Sequence, residues 1–199
     1  MAKIKLTKNE HKKQKDSLKM FQRYLPTLML KKMQLQAEIR IVEVRLLELQ
    51  TAKAQLEAAF NKWIAIFGEQ GVFTPDILRI TKMLTGEGNI AGVAIPLFEG
   101  ADFEIAEYDL IEKPLWLDMA VEKMKEALLL DLQIKCLEEQ QRRLKKELQT
   151  TSQRVNLFEK IKIPEAKTNI KKIAIYLGDQ QTAAVVRGKI SKRGMERVE

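Results

Sequence analysis

Between Leu18 and Phe67 the chain places apolar residues at steps that alternate between three and four. The walk runs Leu18, Phe21, Leu25, Leu28, Lys32, Leu35, Ile39 and Val42. It continues through Leu46, Leu49, Lys53, Leu56, Phe60, Trp63 and Phe67. Thirteen of these fifteen positions are apolar, a repeat close to 3.5 residues, which winds helices into a left-handed supercoil. As one helix the stretch would span roughly 75 Å at 1.5 Å per residue. Its stripe needs a partner, because a helix of this kind is marginal alone. Lys32 and Lys53 on the seam either set register or lay their stems along it with the ammonium groups in water.

The partner lies in the same chain. From Trp116 the steps are Ala120, Lys123, Ala127, Leu130, Ile134 and Leu137, then Gln141, Leu144, Leu148, Thr151, Val155 and Phe158. A second stripe, Leu117, Val121, Met124 and Leu128, widens the apolar face and predicts extra packing at this end. Beyond Pro164 a stripe resumes at Ile170, Ile173 and Leu177. Pro26 interrupts the first pattern without shifting its phase, which predicts a kinked continuous helix rather than a break. Gly178 should weaken the second helix, and residues 188–199 read as a frayed basic tail. Near the start, Thr7 with Glu10 three positions later has the form of a capping box.

Between the two heptad stretches the punctuation changes. Gly68-Glu69-Gln70-Gly71 predicts the end of the first helix. Thr74-Pro75 predicts a short helix running to about Thr85, with Thr as cap and Pro at the first position. Val93, Ile95 and Leu97, then Phe103 and Ile105, alternate with period two around Glu99-Gly100-Ala101-Asp102, which predicts a β-hairpin with a four-residue turn. Pro96 makes its strand an edge. Lys113-Pro114 then opens the second long helix. The expected fold is mainly α: a long antiparallel two-helix coiled coil with a small central insert of short helix plus β-hairpin. Residues 1–68 form the first helix, 69–113 the insert, and 114–199 the second helix and tail. This is a shaft with a small knob, its seam carried by Leu28, Leu35, Ile39, Val42, Leu46 and Leu49 against Leu130, Ile134, Leu137, Leu144, Leu148 and Val155.

Composition agrees with long helices. Of 199 residues only fourteen are Gly or Pro and aromatics are 6%, too few turn formers for many short elements. No apolar run reaches the ~18 residues of a membrane span, the start has no signal-peptide core, and one cysteine excludes an internal disulfide framework. These features suit a cytosolic-side protein without direct membrane insertion. The net charge of +8 is uneven. Residues 1–33 carry net +8, residues 34–159 net −6, and residues 160–199 net +6. Folded antiparallel, the chain would put both basic ends at one tip and the acidic middle at the other.

Catalytic grammar is missing. Gly188-Lys189 lacks the upstream glycine and following hydroxyl of a phosphate loop. Gly86-x-Gly88-x-x-Ala91 matches a loose dinucleotide fingerprint, but it would follow a helix and precede a strand, the reverse of the working order. His11 in a lysine-rich helix reads as a surface residue, and Cys136 has no second thiol or histidine near it in sequence. No cofactor, metal or catalytic residue is expected. Basic ends bring nucleic acid or anionic lipid into view, yet base-stacking aromatics are sparse and no DNA-binding motif is present. A basic coiled coil binding nucleic acid or a membrane surface is the alternative, and it leaves the hairpin without a purpose.

Three segments carry a resemblance. Leu6-Thr7-Lys8-Asn9-Glu10, Asn89-Ile90-Ala91-Gly92-Val93-Ala94-Ile95-Pro96, and Arg154-Val155-Asn156-Leu157-Phe158-Glu159 followed by Ile163-Pro164 are similar, in order and spacing, to the D subunits of the V-type (vacuolar/archaeal-type) ATPases and ATP synthases. That resemblance implies a non-catalytic central rotor shaft on the cytoplasmic side of the membrane, coupling ATP turnover to H⁺ or Na⁺ movement. Its chain ends would project into the catalytic A/B hexamer. Its hairpin end would bind the small F subunit and dock toward the membrane-rotor connecting subunit. On charge, Lys3, Lys5, Lys8, Lys12 and Lys13, with Arg187 and Lys189, would face the hexamer as a bearing, or would only keep an exposed tip soluble. Val93, Ile95, Leu97, Phe103 and Ile105 would provide the contact with the F subunit or the lower stalk.

Overall fold

The computed structural model describes residues 4–61, 77–106 and 116–195. Helix α1 spans Lys8–Asn61. Strands β1, Leu78–Ile90, and β2, Val93–Ile105, pair antiparallel. Helix α2, Trp116–Asn156, passes through a π-helical segment, Leu157–Lys162, into α3, Ile163–Met195. The fold is mainly α, an antiparallel two-helix coiled coil bearing a small hairpin. It divides into one compact unit of Met1–Lys32 with Thr150–Glu199 and another of Met33–Gln149.

In the second unit the direction of pairing is fixed by side chains. Glu43 accepts from Lys145 at 3.0 Å and from Gln141 at 3.0 Å, while Lys53 reaches Asp131 at 2.7 Å. As α1 advances α2 recedes, so the helices are antiparallel. The core between them is Leu35, Ile39, Val42 and Leu144, closed by Ile95 from β2. Lys53 is therefore held across the seam: hydrogen bonding to Asp131, before its charge, raises the ammonium pKa above its ordinary value.

In the first unit Phe21 meets Phe158 with ring centroids 5.2 Å apart, and Thr151, Val155, Ala166, Asn169 and Ile173 are buried. Helix α1 runs unbroken through Pro26, where the ring removes one backbone donor and crowds the carbonyl four residues back. At its start the Glu10 backbone N–H donates to Thr7 Oγ1 at 3.3 Å, while the Glu10 carboxylate accepts instead from Gln14 at 2.9 Å. One half of the capping box forms.

Pro164 is accommodated differently. The Ile163 N–H bonds to the Phe158 carbonyl, five residues back, so the helix is wide just before the proline and the missing donor falls at an already irregular turn. Beyond the wide turn the buried positions are Ala166, Asn169 and Ile173. Ile170 and Leu177, expected beside Ile173, are half-buried.

Four expectations are corrected. The short helix to Thr85 is absent over residues 78–85, which belong to β1; the Thr-Pro signal is local, and residue-by-residue pairing with β2 outweighs it. Residues 62–76 and 107–115, with Gly68–Gly71, Thr74-Pro75 and Lys113-Pro114, lie outside the described residues. The hairpin turn is at Ala91-Gly92, not Glu99–Asp102. Both turn residues have positive φ, 50° and 80°, as a two-residue type I′ turn requires, and the Gly92 N–H donates to Asn89 Oδ1 at 2.9 Å. Glu99 is an unpaired bulge in β2, since Leu84 faces Gly100 and Thr85 faces Phe98. The hairpin is no terminal knob: its tip packs back against Leu35–Val42 and Leu144. Finally, α3 continues through Gly178 and Gly188 to Met195, so the described part of the tail is helical.

Candidate functional site

With a coiled coil and one hairpin, the candidate site is a set of interaction surfaces. Among the described residues no group of three or more His, Cys, Asp or Glu is placed to hold a metal ion. No described helix is long and apolar enough to cross a membrane. Gly86 and Gly88 lie within β1 and Ala91 in the turn, so the loose fingerprint sits inside a strand and presents no helix N-terminus to a phosphate.

The seam residues separate by depth. Leu35, Ile39, Val42, Ile134, Leu144 and Val155 are buried, and Leu28, Leu46, Leu49, Leu130, Leu137 and Leu148 are half-buried. Gln141 meets Glu43 at the seam margin.

The two units differ sharply in charge. Residues 1–32 and 150–199 hold twenty-one basic and seven acidic groups, net +14, while residues 33–149 hold fourteen and twenty, net −6. In the basic unit Lys5, Lys8, Lys12, Lys13, Arg187 and Lys189 are all exposed; Lys3 lies outside the described residues. Lys12 and Lys13 border a shallow groove of about 450 Å³ with Asn9, Asp16, Ser17 and Met20. His11 is not the surface residue expected. It is half-buried, and its Nε2 is fully buried without a hydrogen-bond partner. The three-four walk explains this, because it extends back from Leu18 through Gln14 to His11.

The hairpin lies along α2. At its base Ile77 packs on Leu117 and Val121, which uses the widened face foreseen at that end. Lys125 Nζ stands 5.4 Å from the Phe103 ring centroid. Toward the tip, the Pro96 carbonyl accepts from Gln140 Nε2 and from Cys136 Sγ at 3.4 Å, and the Ala94 carbonyl accepts from Arg143 Nη1 at 3.1 Å. Gln140 and Cys136 are both buried, and burial pushes the thiol pKa up. Glu139 holds Arg143 by its Nε at 2.7 Å and Arg142 through two bonds, and these hydrogen bonds, Arg142's first, lower its carboxyl pKa to about 2.

Of the five hairpin residues expected to meet a partner, Ile95 is buried in the coil core and Val93 packs partly against it. Phe103 is half-buried under Lys125, and Leu97 and Ile105 are exposed. A further surface escaped the sequence walk. Met33, Ile41, Val44 and Leu47 of α1 are each 46–62% exposed and, with Ala37, follow i+3/i+4 steps on the face opposite Leu35 and Val42. The signal was present, but a walk along one seam masks a stripe half a turn away.

Comparisons with known proteins agree with one another. A family model described as that of the ATP synthase D subunit matches residues 10–193. The D subunit of the V-type ATP synthase of Borreliella burgdorferi is 50% identical over 98% of this chain and 96% of that protein. The proteins of the same name from Chlamydia muridarum and Chlamydia trachomatis are 34% and 35% identical, each over 98% of this chain and 97% of its own length. With a two-helix antiparallel coil, a hairpin laid on it, and similarity running almost end to end, the chain belongs to the ATP synthase D-subunit family.

Proposed function

We propose that this chain is the non-catalytic central-stalk rotor shaft of a V-type ATP synthase or ATPase, coupling ATP turnover in the A/B hexamer to H⁺ or Na⁺ transport. The observation that carries the proposal is family membership over residues 10–193. The physical logic of a shaft supports it. Torque must pass along the molecule without unwinding it. Two helices locked by a 3.5-residue seam and by cross-helix pairs such as Lys53–Asp131 resist twist better than a single helix can.

The basic unit is the hexamer-facing bearing. Its exposed cations, Lys5, Lys8, Lys12, Lys13, Arg187 and Lys189, together with Lys3, attract acidic collar surfaces over a Debye length of about 8–10 Å. Such attraction lets the shaft slide past equivalent sites where interlocking side chains would stall it. The hairpin and the outer face of α1 serve the small F subunit and the connecting subunit of the membrane rotor. Of the five hairpin residues, Val93, Ile95, Leu97, Phe103 and Ile105, it is Leu97 and Ile105 that are exposed for that contact. An exposed apolar stripe like that of α1 is how a protein seats on its neighbours in a complex. Seated this way, the shaft works at the cytoplasmic side of the membrane, and its asymmetry places the three catalytic interfaces in different states that rotation exchanges.

The test is purification of the tagged protein from its native cells, with co-purifying chains identified by mass and the eluate assayed for ATPase. Two large nucleotide-binding subunits, a small partner and ATPase activity are expected, with none from the chain alone. Recovery of nucleic acid or lipid without the large subunits would overturn the proposal. In the assembled complex, removing residues 188–199 should reduce ATP-driven pumping more than assembly, and undiminished pumping would count against the bearing.

A further inference from the structure

The hairpin is held unevenly along its length. At the base the contact is apolar, Ile77 against Leu117 and Val121. In the outer half the underlying stripe of α2 turns polar, and the strand is held by its backbone: Gln140 and Cys136 on the Pro96 carbonyl, Arg143 on the Ala94 carbonyl. Ile95 is the one buried side chain there, 3% exposed between Leu35, Ile39, Val42 and Leu144. Between base and outer half the ladder is broken twice, on opposite strands. Thr81 is skipped in β1 and Glu99 in β2, and Gly100 follows Glu99 directly. Bulges bend and weaken a ladder, and a two-stranded sheet is marginal without what it packs on.

We propose that the outer hairpin, Thr85 to Phe98, is a hinged strap that swings off the coil about the bulged segment at Thr81 and Glu99-Gly100. Gln140 and Arg143 are its latch and Ile95 its anchor. Opening breaks three side-chain bonds and withdraws Ile95 together with the partly buried Ile90, Ala91 and Val93, while every helical bond of α1 and α2 stays intact. It therefore costs far less than separating the helices. The open state uncovers the groove formed by Leu35, Ile39, Val42 and Leu144, and it uncovers Cys136.

Cys136 is the chain's single cysteine and is 3% exposed beneath Pro96, so its alkylation by N-ethylmaleimide reports the strap. The full-length protein is labelled over a series of sub-denaturing urea concentrations, and global unfolding is followed by circular dichroism in the same solutions. The labelling rate should depend on urea much more weakly than unfolding does. Arg143→Ala should raise it roughly five- to tenfold with helix content unchanged, and Arg143→Lys, which keeps a donor, should restore part of the protection. Hydrogen exchange should show Ile90 to Leu97 opening in step with Cys136 while Leu35 to Val42 stay protected. A labelling rate that tracks global unfolding, equal rates in wild type and Arg143→Ala, or α1 amides exchanging with the hairpin would each overturn the strap.

Discussion

Ile95 shows what one side chain does here. It leaves β2 and completes the core of two helices far from it in sequence. Ile95→Ala should lower the unfolding free energy by about 2–4 kcal/mol, as buried Ile truncations do, which urea unfolding would measure. Ala91 works the other way: at φ 50° a Cβ is unfavourable, by about 1–2 kcal/mol for a full left-handed residue, and Asn tolerates this position in type I′ turns. Ala91→Asn should stabilise the chain by up to about 1 kcal/mol, and a lower melting temperature would contradict the turn geometry. Glu139, with its carboxyl pKa depressed to about 2 from 4.5, stabilises the folded state above its ordinary value, and that contribution is lost as pH falls from about 4.5 to 2. Because the group is exposed the effect is small. Glu139→Gln should flatten the acid limb of thermal melts, and identical limbs would show that the tie contributes nothing.

At the scale of elements the two interior prolines differ in how the helix absorbs them. Pro26 sits in an otherwise uninterrupted helix, so Pro26→Ala restores a donor and removes a clash, and should stabilise by about 1–2 kcal/mol. Pro164 follows a π turn that already spaces the backbone, and Pro164→Ala should gain less than about 1 kcal/mol. Paired denaturation curves decide this, and equal gains would mean the π turn does not accommodate the ring. Hairpin placement is the other lesson at this scale. The period-two pattern of Val93–Leu97 and Phe103–Ile105 was legible as strand. The matching alternation of β1 was hidden behind a strong Thr-Pro helix signal, so the turn was sought on the wrong side of Val93.

Across the whole molecule, net +14 on one unit and −6 on the other make electrostatics the property that ties sequence to proposed work. Lys12→Glu with Lys13→Glu should leave the isolated chain as stable as before, both residues being exposed. In the assembled complex the pair should lower ATP-driven ion pumping at low salt, with the deficit shrinking as salt rises. Unchanged pumping would leave these charges with solubility alone. The two long helices and the charge asymmetry were determined by the sequence itself, because each depends on spacing or counting along a continuous stretch. The latch of Gln140 and Arg143 on β2 and the burial of Ile95 were decided only by tertiary structure. Each of these depends on which distant segment arrives beside it, and periodicity along one stretch carries no information about that.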